Sequence, residues 1–189
     1  MEISLQNNFL IAMPSIQQTI FHKSVVYICE HNTNGAMGII INKAFKKIKI
    51  KHILKKLNIE TSYYTFGPIL HDAVMIGGPI AQDRGIVIHA IKKKFYSSLK
   101  ITKNTIITTS KDILESLGMI QKTNNILLFL GYCIWDKNQL ENELLHNVWL
   151  TIPATHNVLF HTTPKKKWNK VNKKLGIPLY QLSSHHVYL

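Results

Sequence analysis

Two apolar runs, VVYICE (25–30) and AMGIIIN (36–42), flank a short polar link, HNTNG (31–35). Neither run alternates cleanly between apolar and polar. Both therefore suit strands covered on two faces rather than a sheet with one wet side. Asn and Gly in the link offer the positive φ of a tight turn, which predicts a β-hairpin. Upstream, FLIAM (9–13) reads as a strand stopped by Pro14, and PSIQQTIFHKS (14–24) as a loop or one helical turn.

The period changes at IKIKHILKKLNI (48–59). Ile50, Ile53, Leu54 and Leu57 recur at helical spacing with lysines opposite, so an amphipathic helix is expected over about 50–58. YYTFGPILHD (63–72) is broken by Gly67-Pro68 and reads as loop. AVMIGGPIAQDRGIVIHA (73–90) reads as strand, Gly-Gly-Pro break, turn at Asp83-Arg84-Gly85, and strand. TIITTSKDILESLG (105–118) runs from strand into helix. Ser110 is the expected N-cap, Asp112 suits the helix dipole, and Gly118 is the expected stop.

NILLFLGYCIW (125–135) is the second strongly apolar strand. DKNQLENELLHN (136–147) is helical, with Leu140, Leu144 and Leu145 expected inward, and VWLTIP (148–153) is a strand ended by Pro153. In TPKKKWNKVNKKLG (163–176), Thr163 caps a helix, Pro164 opens it and Gly176 closes it. Its apolar stripe is Trp168, Val171 and Leu175. The tail from 177 is expected to lie extended over the body. Strands and helices mix without βαβ alternation, so the class is α+β with a mixed sheet.

Composition narrows this picture. The 189 residues suit one domain, 1–189, with a sizeable core. No apolar run approaches the ~18 residues of a membrane helix. The polar start MEISLQNN has no signal-peptide pattern. A soluble cytoplasmic protein without membrane contact is expected. Two cysteines, Cys29 and Cys133, build neither a disulfide framework nor a zinc ladder and read as buried reduced thiols. The net charge of +13 comes almost wholly from lysine, with Arg84 the one arginine. Arginine is the usual bidentate reader of phosphates and bases. Specific nucleic-acid binding is therefore not expected, only salt-sensitive attraction to polyanions.

Candidate chemistry begins at Cys29-Glu30-His31. On a regular strand Cys29 and His31 share a face and Glu30 points away. Same-face neighbours stand about 6.5–7 Å apart with parallel side chains, poor geometry for a thiol–imidazole dyad. The histidines show no metal-ligand spacing, so neither a metal nor a cofactor is expected. Gly77-Gly78-Pro79 matches no phosphate-binding loop and reads as a sharp turn or a close backbone approach. Ser110 lacks the G-x-S-x-G elbow and reads as a cap. Arg84 reads as either a buried bidentate partner for a carboxylate or an anion ligand. Tyr132 and Trp135 either cover the core edge or belong to a functional loop.

Several blocks follow one another in order: FHKSVVYICEHNTNGAMGIIINK, IGGPIAQDRGIVIH, ITTSKDILESL, LFLGYCIWDKNQLENELLHNVWL and LFHTTPKKKWNKVNKKLGI. Together they resemble the AlgH/YqgE family of small bacterial cytoplasmic proteins over nearly the whole chain. The resemblance implies a largely antiparallel, bifurcated sheet, part of it curled into a small barrel, with helices around it. It implies no established activity, though one branch bears the name of a transcriptional regulator. Two features depart from the family pattern. This chain is basic where members are often acidic, and GYCIWDKNQL carries Cys133 and Asp136-Lys137-Asn138 where small residues are usual. The shared blocks contain Glu30, Asn42, Arg84, His89, Tyr132, Gln139 and Glu141, the candidates for a common polar pocket. The expected function is a non-enzymatic binding or regulatory protein, with a small anion or a protein as partner. The alternatives are a DNA-binding regulator and a hydrolase-like enzyme using His89 or Glu141 as base.

Overall fold

The structure, a computed structural model, describes residues 4–59, 68–91, 93–117 and 125–176. Among these residues ten strands occur in chain order: β1 (Asn8–Ala12), β2 (Val25–Asn32), β3 (Gly35–Ile40), β4 (Ala44–Lys49), β5 (Ala73–Ile76), β6 (Ile80–His89), β7 (Ser98–Thr102), β8 (Thr105–Thr108), β9 (Ile126–Asp136) and β10 (Trp149–Pro153). Five α-helices join them among the described residues: α1 (Ile50–Lys56), α2 (Lys111–Leu117), α3 (Gln139–Leu145), α4 (His156–His161) and α5 (Pro164–Leu175). The fold is α+β, with a curled antiparallel half-barrel sheet.

The main path runs β10-β1-β2-β3-β9-β6-β8-β7. The fork lies along one edge of β9. Its C-terminal half pairs antiparallel with β3, Gly38 against Cys133 and Gly35 against Asp136. Its N-terminal half pairs in parallel with β5, Met75 against Phe129, and β5 continues to β4. The opposite edge of β9 carries β6. Gly77 and Gly78 sit where the branches part. A Cβ on Gly77 would lie 2.1 Å from the Gly131 carbonyl oxygen, and one on Gly78 2.1 Å from that of Tyr132. The glycine pair thus serves the close backbone approach that its sequence suggests.

Both faces of the sheet are covered, which explains the unbroken apolar runs. Phe9, Ile11, Tyr27, Ile86, Ile88 and Phe129 pack on one face with Val158 of α4 and Val171 of α5. On the other face, α1 and α2 cover the β9–β6 region through Leu54, Ile113, Val87 and Leu128. There α3 covers the remaining branch, with Leu140 against Val26, Ile28 and Trp135.

Several expected details change. No turn forms at Asp83-Arg84-Gly85; β6 runs through it with an irregularity between Ile80 and Gly85. Asn34 keeps a negative φ in the hairpin, and its amide is held by Asn32 Oδ1 at 2.8 Å, an Asx turn. The fold gains β4, β7 and α4, whose short polar stretches carry little periodicity. The expected loop over 63–72 ends in a short 3-10 turn, Pro68–His71; its earlier part, Gly118 and the tail from 177 lie outside the described residues. Leu145 is 78% exposed rather than inward. Lys167 and Asn172 of α5 are buried beside the expected stripe.

Candidate functional site

A β-bulge decides what the Cys29-Glu30-His31 triplet does. The register of β2 against β3 shifts between Ile28, opposite Gly38, and Glu30, opposite Met37. Cys29 is the extra residue, and from there the alternation inverts. Cys29 stays with Tyr27 in the core under α4 and α5. Glu30 joins that side, in register with Met37 and Ile134 across three strands. His31, opposite Ala36, turns to the α3 side. Regular alternation had paired Cys29 with His31; the bulge pairs it with Glu30. The thiol is free and fully buried, without the exposure that a reactive thiol needs. Burial, with the neighbouring Cys133 and Glu30, pushes Cys29 well above its usual pKa, and burial pushes Cys133 up to about 12.

On the α3 side His31 lines a cleft of about 640 Å³ together with Ser4, Leu5, Asn32, Asn138, Glu141, Leu144 and Leu145. Its ring nitrogens have separate partners. Leu5 N–H donates to Nδ1 at 2.9 Å, and Nε2 lies 2.6 Å from Glu141 Oε1. An Nδ1 that accepts carries no proton, so the proton sits on Nε2 and points at the carboxylate. For Glu141, burial acts upward, but its own backbone amide and the His31 imidazole outweigh it and hold the carboxyl below its usual range. Ser4 Oγ donates to the His31 carbonyl at 3.3 Å, so it is spent on the backbone.

Beneath the cleft a second carboxylate organises α3. Glu143 Oε2 accepts the indole N–H of Trp135 at 2.8 Å and of Trp149 at 2.7 Å, and Gln139 Nε2 donates to Oε1 at 2.9 Å. Gln139 Oε1 accepts from the Asp136 amide at 3.0 Å. Trp135 is thereby fixed at the core edge.

The seven sequence candidates do not converge on one cavity. Glu30 and Tyr132 line a shallow hollow of about 300 Å³ with Met37 and Ile134. Glu141 lines the cleft, and Gln139 braces α3 below it. Asn42 closes the start of β2, accepting from Val25 N–H at 2.9 Å and donating to the Lys23 carbonyl at 2.8 Å. His89 is fully buried, packed edge-on against Phe95 with ring centroids 5.5 Å apart, and burial lowers its pKa. Arg84 is exposed on β6 and has no carboxylate partner among the described residues, so a buried bidentate pair is not made. Glu30 Oε1 accepts from Asn32 Nδ2 at 2.8 Å. His89 and Glu141 sit in separate clusters and do not form an acid–base pair. His31 is the cleft residue that the sequence raised only as a partner for Cys29 and left out of the pocket candidates, because the bulge that aims it leaves no mark in the residue pattern.

A family model described as AlgH-like matches residues 9–180. The chain belongs to the AlgH-like family. A UPF0301 protein of Erwinia tasmaniensis is 47% identical to this AlgH-like chain over 182 residues, covering 96% of it and 97% of the relative. The UPF0301 protein YqgE of Salmonella typhi is 51% identical over 177 residues, covering 94% and 95%. The solution structure of AlgH from Pseudomonas aeruginosa superposes with a TM-score of 0.77 at 31% identity, covering 100% of this chain and 98% of that one. A Corynebacterium diphtheriae protein at 18% identity and TM-score 0.71 shares the fold. These names state no activity. Among the described residues of this AlgH-like chain no helix is long and apolar enough to cross a membrane, and no group of three or more metal-ligating side chains forms.

Proposed function

We propose that this AlgH-like protein is a non-enzymatic binding protein with a regulatory role in the cytoplasm, and that the His31–Glu141 cleft is its ligand site. The observation that carries this reading is the commitment of both His31 nitrogens. With Nδ1 held by Leu5 N–H and Nε2–H by Glu141, the imidazole has no free lone pair with which to take a proton from a nucleophile. The arrangement suits recognition. A volume near 640 Å³ falls within the range of small-molecule sites. Leu5, Leu144 and Leu145 offer an apolar wall, and the ionised Glu141 with Asn32 and Asn138 offers a polar floor. That chemistry favours a small molecule with an apolar body and a donating or cationic end. Two unbridged cysteines agree with a reducing compartment.

The test is a screen of small organic amines, alcohols and carboxylates by amide chemical-shift perturbation. Amines with an apolar body should move the Leu5 and Asn32 amides, and Glu141→Gln should weaken them about tenfold. Carboxylates binding equally well, or hits that leave those amides still, would overturn the assignment. Turnover of a hit by the wild-type protein that is lost in His31→Ala would restore the enzymatic alternative.

A further inference from the structure

On the far side of the sheet, β7 forms the open edge beyond β8. The β7–β8 hairpin and the segment before it border a groove of about 870 Å³. Lys93, Lys94, Lys100 and Lys103 line it, with Ser98, Asn104, Phe95 and Ile106 between them. No carboxylate lines it among the described residues, and none of the four lysines makes an ion pair there. Asp112, the acidic side chain in the first turn of α2, is turned to Ser110 and to the amides of Tyr96 and Ile113. We propose that this groove binds an oligophosphate: a ligand with several phosphate groups in series, free or carried on a nucleoside. The site is separate from the cleft and stands or falls without it.

The concentration of charge is the first argument. Four ammonium groups around one hollow repel one another, and a multiply charged anion relieves that repulsion. Lysine serves phosphate as a point charge and needs no bidentate geometry, so the shortage of arginine is no obstacle. Lys93 Nζ also sits 5.7 Å from the centroid of the Phe95 ring, which holds it near the groove.

Rigidity is the second argument. A chain of hydrogen bonds ties the two lysine-bearing stretches together. Ile91 N–H donates to His89 Nδ1 at 3.1 Å, so Nε2 carries the proton and donates to Thr108 Oγ1 at 2.8 Å. Thr108 then donates to Ser98 Oγ at 2.8 Å, and Ser98 to the Phe95 carbonyl at 3.3 Å. The buried end of this chain fixes the segment carrying Lys93 and Lys94 against the hairpin carrying Lys100 and Lys103. With the Ser98 hydroxyl proton committed, the lysines and the Asn104 side-chain amide are the donors in the lining left for phosphate.

The size of the groove points to a short ligand. A duplex backbone would run past the hairpin and draw on lysines elsewhere, whereas an oligophosphate engages this cluster alone. The test measures binding of ATP, inorganic tripolyphosphate, AMP and a random DNA duplex to the full chain by calorimetry and by competition. The variants are Lys100→Gln/Lys103→Gln and, with the same loss of charge on α1, Lys55→Gln/Lys56→Gln. Tripolyphosphate and ATP should bind at least tenfold tighter than AMP. The hairpin variant should lose tenfold or more, and the α1 variant less than twofold. ATP and tripolyphosphate binding alike assigns recognition to the phosphates; tighter ATP adds a nucleoside contact within the same groove. Equal losses in the two variants would mean diffuse attraction and overturn the site. So would DNA binding that tripolyphosphate does not displace, or no binding at 150 mM salt.

Discussion

His31 Nε2 stands 2.6 Å from Glu141 Oε1, although 110 residues of chain separate the two. The contact joins the end of the β2–β3 hairpin to the first turn of α3, and Leu5 N–H on Nδ1 adds the N-terminal arm. His31→Ala should release all three. With two hydrogen bonds lost at a half-buried position, destabilisation of about 1–2 kcal/mol is expected in urea titrations. The Glu141 carboxyl, read by carbon NMR, should titrate below its usual range in the wild type and move upward in the variant, because the imidazole is one of the groups that hold it down.

Glu143 collects two indole N–H groups on one oxygen. Removing it leaves two donors unpaired at the edge of the core, where Trp135 and Trp149 are 4% and 3% exposed. Glu143→Leu should cost about 3 kcal/mol or more, with a change in tryptophan emission. Glu143→Gln keeps an acceptor and should cost roughly half as much.

The glycines of the fork and of β6 should separate cleanly. Gly78→Ala places a methyl 2.1 Å from the Tyr132 carbonyl oxygen, against the Tyr132–Cys133 peptide, and backbone there cannot swing aside as a side chain would. The expected loss exceeds about 3 kcal/mol, or the chain fails to express in soluble form. Gly85→Ala meets only Leu128 Cδ1, at 3.6 Å, and should stay within about 0.5 kcal/mol of wild type. Chemical denaturation of both variants checks the pair.

Lys167 lies 1% exposed, and its ammonium has one hydrogen bond, to the Leu159 carbonyl at 2.7 Å. Burial lowers its pKa to about 7. The unfolded chain therefore holds more protons than the folded one between about pH 7 and pH 10.5. Wild-type stability should rise with pH across that window, by at most about 1.4 kcal/mol per pH unit from this group. Lys167→Met should stabilise the protein at pH 7 by on the order of 2 kcal/mol and flatten that dependence. Thermal unfolding of both proteins at pH 7 and pH 9 provides the comparison; a variant that keeps the wild-type slope would refute the assignment.

Wherever the apolar pattern is long, the sequence already shows the fold. The runs at 25–30, 36–42 and 125–135 become strands covered on both faces. Pro164 and Gly176 bracket α5 as their conformational preferences require, with Gly176 at φ 68°. Short edge strands such as β7, SLKIT, carry too few apolar positions to stand out. Much of the site was less legible for a different reason. Glu141 belongs to a recognisable block, but its partner depends on a one-residue insertion at Cys29, and periodicity assumes there is none. The buried Lys167 is equally hidden, because one lysine among PKKKWNKVNKKL looks like the others until α5 is docked.

The fork also bears on how the chain is made. β3, β5 and β6 are each completed before residue 90, and each has one edge that only β9 will fill. During synthesis from the N-terminus those three edges wait, unpaired, while a further 36 residues or more emerge; Ile126 opens the missing strand. The β5 branch can close first, because the half of β9 that it pairs with precedes the half that pairs with β3, and the β3 branch waits further for β10. The nascent chain thus passes through a stage with these three edges open, and that of β1 still awaiting β10, the condition in which strands pair with the wrong neighbour or with another chain. The long strand that organises the finished sheet makes its own late arrival the vulnerable moment of biogenesis.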